Sequence, residues 1–133
     1  MSLYLTIFDG DVEVDGWVLG HYSDFGAFRN VISEECEDAR SRYPTLLLHS
    51  DSDGEWTPEQ LPALNAELHE IARHLQRLPP RPIEEAFEHT SEFRVRAQSL
   101  YDCFHNVDGT NLIEALISLC EKAERLQLPI LFQ

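Results

Sequence analysis

The chain has 133 residues and carries 24 acidic against 10 basic side chains, for a formal charge of −14 with histidine neutral. That length suits one domain, residues 1–133, with a real apolar core. That charge disfavours nucleic acid and anionic membranes as partners. The imbalance is concentrated: residues 1–60 hold 13 acidic and 3 basic side chains, net −10, and residues 61–133 hold 11 and 7, net −4. Such a surface favours a basic protein partner through faster encounter at low salt, although simple solubility explains the same composition. The cysteines, Cys36, Cys103 and Cys120, are odd in number and show no C-x-x-C spacing, which predicts reduced, buried thiols. The opening MSLYLTIF has no basic segment and no long apolar run, so the expected location is the cytoplasm. No stretch approaches the roughly 20 apolar residues of a membrane span.

In chain order, Leu3–Phe8 reads as a strand, and Val12, Val14, Trp17 and Leu19 as a second strand-like run. Asp9-Gly10-Asp11 joins them as a hairpin, and Gly16 suggests a bulge. Ser23 or Asp24 caps a first helix whose apolar face is Phe25, Phe28, Val31, Ile32, Cys36 and Ala39. Glu34, Glu35, Glu37 and Asp38 crowd the opposite side at the helix C-terminus, where negative charge opposes the dipole. They form one candidate binding face; a solvated acidic face is the simpler reading.

Leu46, Leu47 and Leu48 read as a central strand apolar on both faces. Ser50 to Glu55 form an acidic turn ending on Gly54. Thr57, Pro58 and Gln60 then match a capping box with proline at the first helical position. Leu61, Leu64, Leu68, Ile71, Leu75 and Leu78 follow as one stripe. Pro79-Pro80-Arg81-Pro82 forces an extended linker, and Ile83–His89 fits one or two helical turns. Residues 91–105 fit either a strand, through the alternation of Phe93, Val95 and Ala97, or a helix, through Leu100, Cys103 and Phe104. A second Asp-Gly turn precedes a last helix, capped by Asp108, Thr110 or Asn111 and buried along Leu112, Ile113, Leu116, Leu119, Cys120, Ala123 and Leu126. Ile130, Leu131 and Phe132 then read as a strand added to the sheet. The pattern predicts an α+β fold: a small, mostly antiparallel sheet packed against two to four helices in a single layer.

The acidic turn holds the main chemical candidates. His49 beside Asp51, Asp53 and Glu55 has the residue types of an acid–base or metal-dependent hydrolase site; a histidine merely surrounded by carboxylates has the same letters. With Gly54 at position six of a calcium loop, Asp51 and Asp53 fall at positions three and five, but His49 and Gln60 occupy positions one and twelve, where oxygen anchors are needed. His69 and His74 do not match H-E-x-x-H, and no Cys/His set has zinc spacing. Phosphate loops, a G-x-S-x-G elbow and a basic patch with interleaved aromatics are all missing from the sequence. No cofactor is expected. Aromatics rimmed by carboxylates suit a protein-binding hot spot, so Asp51, Asp53, Glu55 and Trp56 form the first candidate surface. Trp56 reads equally as core or interface, and Trp17 as core.

Several stretches taken together carry a family resemblance. They are Ser23-Asp24-Phe25 with Phe28-Arg29, Tyr43-Pro44-Thr45 with LHSDSDGEWTPEQL, Asp102-Cys103-Phe104 with Val107-Asp108-Gly109, and the closing Pro-Ile-Leu-Phe-Gln. In these the chain resembles the immunity protein 70 family of bacterial polymorphic toxin systems, from Leu3 to Gln133. The resemblance implies a non-enzymatic cytoplasmic inhibitor that binds the toxin domain of a secreted or contact-dependent effector and protects the producing cell. It supplies no residue-level mechanism and no toxin identity; an acidic inhibitor suits a basic toxin such as a nuclease.

Overall fold

The structure is a computed structural model and describes residues 2–50, 54–81, 83, 97–105 and 109–133. Two long strands open it, β1 (Ser2–Asp9) and β2 (Val12–His21). They pair antiparallel through a two-residue turn in which Gly10 takes φ +64°, the left-handed conformation such hairpin turns require. Helix α1 (Tyr22–Glu35) follows directly, then the single turns α2 (Ala39–Arg42) and α3 (Pro44–Leu47), the two-residue strand β3 (Glu55–Trp56) and helix α4 (Leu61–Leu75). A 3-10 turn at Leu100–Cys103, helix α5 (Leu112–Leu126) and strand β4 (Ile130–Phe132) complete the described elements. The sheet order is β2-β1-β4-β3, and every pairing is antiparallel. The fold is α+β, as the patterning predicts.

The alternation of β1 sets the core. Leu3, Leu5 and Ile7 are fully buried on one face, opposite Ile130 and Phe132 of β4. Phe25 of α1 meets Phe132 edge-on at 6.1 Å, and Phe28 meets Phe104 at 5.1 Å. Helices α4 and α5 close against each other, the Cys120 thiol donating to the Leu61 carbonyl at 3.4 Å. All three cysteines are buried and none is in a disulfide; burial, with Glu124 and Glu121 nearby, pushes the Cys120 thiol up to about 12. The last helix is capped by Asn111, whose side-chain oxygen accepts from the Glu114 N–H at 3.0 Å.

Several sequence expectations need correction. Leu46–Leu48 is not a strand. Pro44 starts the helical turn α3, Leu46 and Leu47 are buried, and Leu48 is 61% exposed. The deciding group is far away in sequence: the buried Glu67 carboxylate of α4 accepts from the N–H of Leu46 at 3.0 Å and of Thr45 at 3.3 Å. It thereby satisfies orphan donors at a helix start. Glu67→Ala is expected to lower stability by about 1–3 kcal/mol in urea unfolding, and Glu67→Gln by less, because one oxygen acceptor remains. An unchanged midpoint for Glu67→Ala would mean that water replaces the carboxylate.

The capping box forms only in part. Gln60 accepts from the Thr57 N–H at 2.9 Å, but residues 58–60 make a turn and the helix proper starts at Leu61. Helix α1 stops at Glu35, so Cys36 and Ala39 are buried from beyond its end. Gly16 is not a bulge. The register shifts lie between Leu3 and Tyr4 and between Ile7 and Phe8, and Gly16 stays in register opposite Thr6. A Cβ there would stand 2.3 Å from the Tyr4 hydroxyl, so glycine is needed for Tyr4 to lie across β2. Leu126 is 42% exposed rather than buried. The proposed turns at Ile83–His89 lie almost wholly outside the described residues. So does the strand-or-helix alternative up to residue 96, whereas Leu100–Cys103 is a 3-10 turn.

Candidate functional site

The acidic turn sits between α3 and β3, at the edge of the sheet opposite β2. Its flanks are firmly held. Arg29 reaches from α1 to donate to the carbonyls of His49 at 2.9 Å and Leu47 at 2.6 Å. On the far side, Phe132 of β4 donates its N–H to the Gly54 carbonyl at 2.9 Å. Gly54 takes φ +84°, the conformation that lets the chain reverse into β3.

His49 joins the two flanks. Its Nδ1 lies 2.8 Å from the Ser50 carbonyl and its Nε2 lies 2.8 Å from the Glu55 carbonyl. The ring stacks on Phe132 at 4.4 Å and 25°, with Trp56 5.2 Å away. Carbonyl oxygens only accept and a neutral imidazole carries a single N–H, so the ring donates to one of the two carbonyls at a time while both nitrogens face backbone. The imidazole acts here as a clasp across the neck of the turn. Among the described residues no group of three or more His, Cys, Asp and Glu is placed to hold a metal ion.

The four residues of the first candidate surface are not equivalent. Glu55 is exposed, and Trp56 is fully buried, as the two-residue alternation of a strand dictates. The Trp56 indole donates to the Thr45 carbonyl at 2.9 Å and meets Phe132 edge-on at 4.7 Å. Of the core and interface readings, core is the one this geometry fits, and Trp56 presents no surface to a partner. Asp51 and Asp53 lie outside the described residues.

The second acidic cluster does not share one helix face. Glu34 and Glu35 lie in the last turn of α1, while Glu37 and Asp38 lie in the reversal beyond it, with Asp38 at φ 55°. Arg81 bridges the first two, Nη2 to Glu34 Oε2 at 2.9 Å and Nε to Glu35 Oε1 at 3.2 Å. The charge that opposes the helix dipole is thus partly compensated by a residue 46 positions away from Glu35. No helical periodicity signals that contact.

Two further polar constellations were hidden from sequence. Arg42 and Tyr43 both bond Glu70 of α4, the phenol at 3.1 Å. Burial, and then the bond to Glu70, pushes the Tyr43 phenol up to about 12, while the Arg42 bond holds the Glu70 carboxyl below its ordinary range. The other is a groove between β2 and α5, where Lys122 pairs with Asp15 at 3.3 Å.

The architecture is therefore that of a small acidic α+β protein whose polar clusters tie backbone segments together. The chain belongs to the immunity protein 70 family, whose family model, Immunity protein 70, matches residues 5–132. Comparison with curated proteins and with solved structures returned no match. Membership of that family makes this an immunity protein of a toxin system. No described helix is long and apolar enough to cross a membrane.

Proposed function

We propose that the protein is a non-enzymatic, single-domain immunity protein of a bacterial polymorphic toxin system. It acts in the cytoplasm, where it binds a cognate toxin domain and neutralises it by occluding the active or substrate-binding surface with an acidic face. The observation that carries this reading is the family match over nearly the whole chain. The net charge of −14 favours a basic toxin, a nuclease being the obvious type, through electrostatic steering.

We place the contact on the acidic turn, Asp51, Asp53 and Glu55, with Trp56 as its buried support. Anchoring of the flanking residues by Arg29, His49 and Phe132 favours this choice, because fixed flanks leave less backbone entropy to lose on binding. The face at Glu34, Glu35, Glu37 and Asp38 is the rival, but two of its carboxylates are already paired with Arg81. The hydrolase reading of His49, Asp51, Asp53 and Glu55 is disfavoured because both nitrogens of His49 face backbone carbonyls rather than an open site. Calorimetry with millimolar calcium, expected to show no heat, addresses the calcium-responsive alternative.

The test is association kinetics with the toxin encoded beside this protein. Raising salt from about 0.01 to 0.15 M shortens the screening length from about 30 to 8 Å. The on-rate is expected to fall over that range while the off-rate changes little. Glu55→Gln should slow association further. A flat on-rate would remove steering, and a large loss from Glu34→Gln with Glu37→Gln, but none from Glu55→Gln, would move the interface to the end of α1.

A further inference from the structure

Side chains alternate along a strand, and directly opposed residues on neighbouring strands point the same way. The register therefore sorts the sheet into two faces. Leu3, Leu5 and Ile7 look into the core; on the outer face Tyr4 stands beside Val18, and Thr6 beside Gly16 and Leu131. Leu131 in turn stands beside Glu55, where the acidic turn enters β3, and Phe8 stands beside Glu13. We infer that this outer face, centred on Tyr4 and Leu131, is the apolar middle of the toxin contact, and that it takes an apolar patch rimmed by Lys and Arg on the toxin. This rests on the toxin-binding reading and extends the contact placed at Glu55 across the sheet.

Three observations point to that occupant. The solvated face of an antiparallel sheet is ordinarily polar, whereas this one carries Tyr4, Phe8, Val18 and Leu131. The Val18 side chain is 44% exposed, and the other three are half-buried. Among the described residues, the partly buried apolar side chains packed against the core include Trp17 of β2 but none of these. Contiguous apolar side chains that do not serve the core mark a protein contact. Tyr4 is also held in place. Its ring lies across Gly16, where a Cβ would stand 2.3 Å from the hydroxyl, and its phenol bonds Glu13, which raises the phenol above its ordinary range. A fixed aromatic loses little entropy on binding, and tyrosine is favoured at contact centres.

The third observation selects the partner's charge. Strands β1 to β4 carry Asp9, Glu13, Asp15 and Glu55 and no Lys or Arg. Glu55 borders the outer face on the β3 side and Glu13 on the β2 side, and both are exposed. A carboxylate that accepts a phenol hydrogen bond is still an anion, so the bond to Tyr4 does not remove Glu13 from that border. Basic side chains at the rim of the partner's patch complement both borders. A second copy of the same face would bring like charges together, which opposes self-pairing.

The test uses the intact protein and the toxin encoded beside it. Leucine and valine methyl signals of the protein are followed by NMR as toxin is added. Those of Val18 and Leu131 are expected to shift, while those of Leu126, 42% exposed on α5, stay in place. Val18→Lys sets a positive charge against the basic rim and should weaken the complex roughly tenfold or more; Tyr4→Phe keeps the ring but drops the bond to Glu13 and should weaken it roughly threefold. Both variants should melt within a few degrees of the parent chain, and the methyl shifts of the parent carry the test if either does not. Unshifted Val18 and Leu131 methyls in a formed complex overturn the inference and leave the toxin-binding reading standing, as does parental affinity in both folded variants. The same methyls shifting with protein concentration alone, in a dimer, also overturn it. Failure of the parent protein to form any complex overturns the toxin-binding reading itself, and this inference with it.

Discussion

Deleting Ile130–Gln133 is expected to leave no cooperative unfolding transition near room temperature. Strand β4 is flanked on both sides, by β1 and by β3. Gln133 exchanges two backbone bonds with Tyr4, at 3.0 and 2.8 Å, and Phe132 holds the Gly54 carbonyl. Ile130 and Phe132 are 1% and 6% exposed, and Phe132 touches Phe25, His49 and Trp56. Losing two such side chains removes about 3–6 kcal/mol of burial, before the cost of baring β1 and β3 is added. Domain stabilities run to about 5–15 kcal/mol in all. Thermal unfolding by circular dichroism measures this; a melting temperature within a few degrees of the full chain would mean that β4 contributes little to the fold.

Trp56→Ala is expected to cost about 3–5 kcal/mol of folding stability, the largest effect of any single substitution considered. The indole is fully buried, and its N–H is matched to the Thr45 carbonyl at 2.9 Å, so truncation leaves both a cavity and an unpaired acceptor. Trp56→Phe keeps much of the packing and should cost less. Both are read from urea unfolding midpoints at constant slope. A loss under about 1 kcal/mol combined with weakened toxin binding would instead mark Trp56 as an interface anchor. Because Trp56 underlies the turn, toxin affinity of the Ala variant should be measured only where the folded form is fully populated.

The parts of the fold written as periodicity were legible. Helices α1, α4 and α5 follow their apolar stripes, the Asn111 cap was among the residues proposed, and Ile130–Phe132 is the strand its composition suggests. Leu46–Leu48 misled because three consecutive leucines carry no period, so length and flanks must arbitrate. The flank that mattered, Pro44, was visible; the capping carboxylate of Glu67 was 21 residues away from Leu46 and was not. Trp56 was ambiguous because its acidic neighbours describe the chain around it, whereas a strand sends adjacent residues to opposite faces. With β3 only two residues long, no alternation was available to read. The candidate site was legible as residue types but not as geometry: nothing local shows that His49 would turn both nitrogens toward backbone, or that Arg81 would cover Glu34 and Glu35.

The central position of β4 also dictates an order of assembly. β1 and β2 are consecutive and close through two residues, a step of about 1–10 μs for hairpins. β4 meets β1 only when Phe132 finds Leu5, which closes a loop of nearly the whole chain at an entropic cost on the order of 4 kcal/mol. Non-local pairing of this kind slows folding. Until it happens, the inner edge of β1 stands open, the sort of edge through which half-folded copies pair with one another. A net charge of −14 on every copy opposes that encounter, so the acidity suited to drawing in a basic partner also guards the nascent sheet against its own kind.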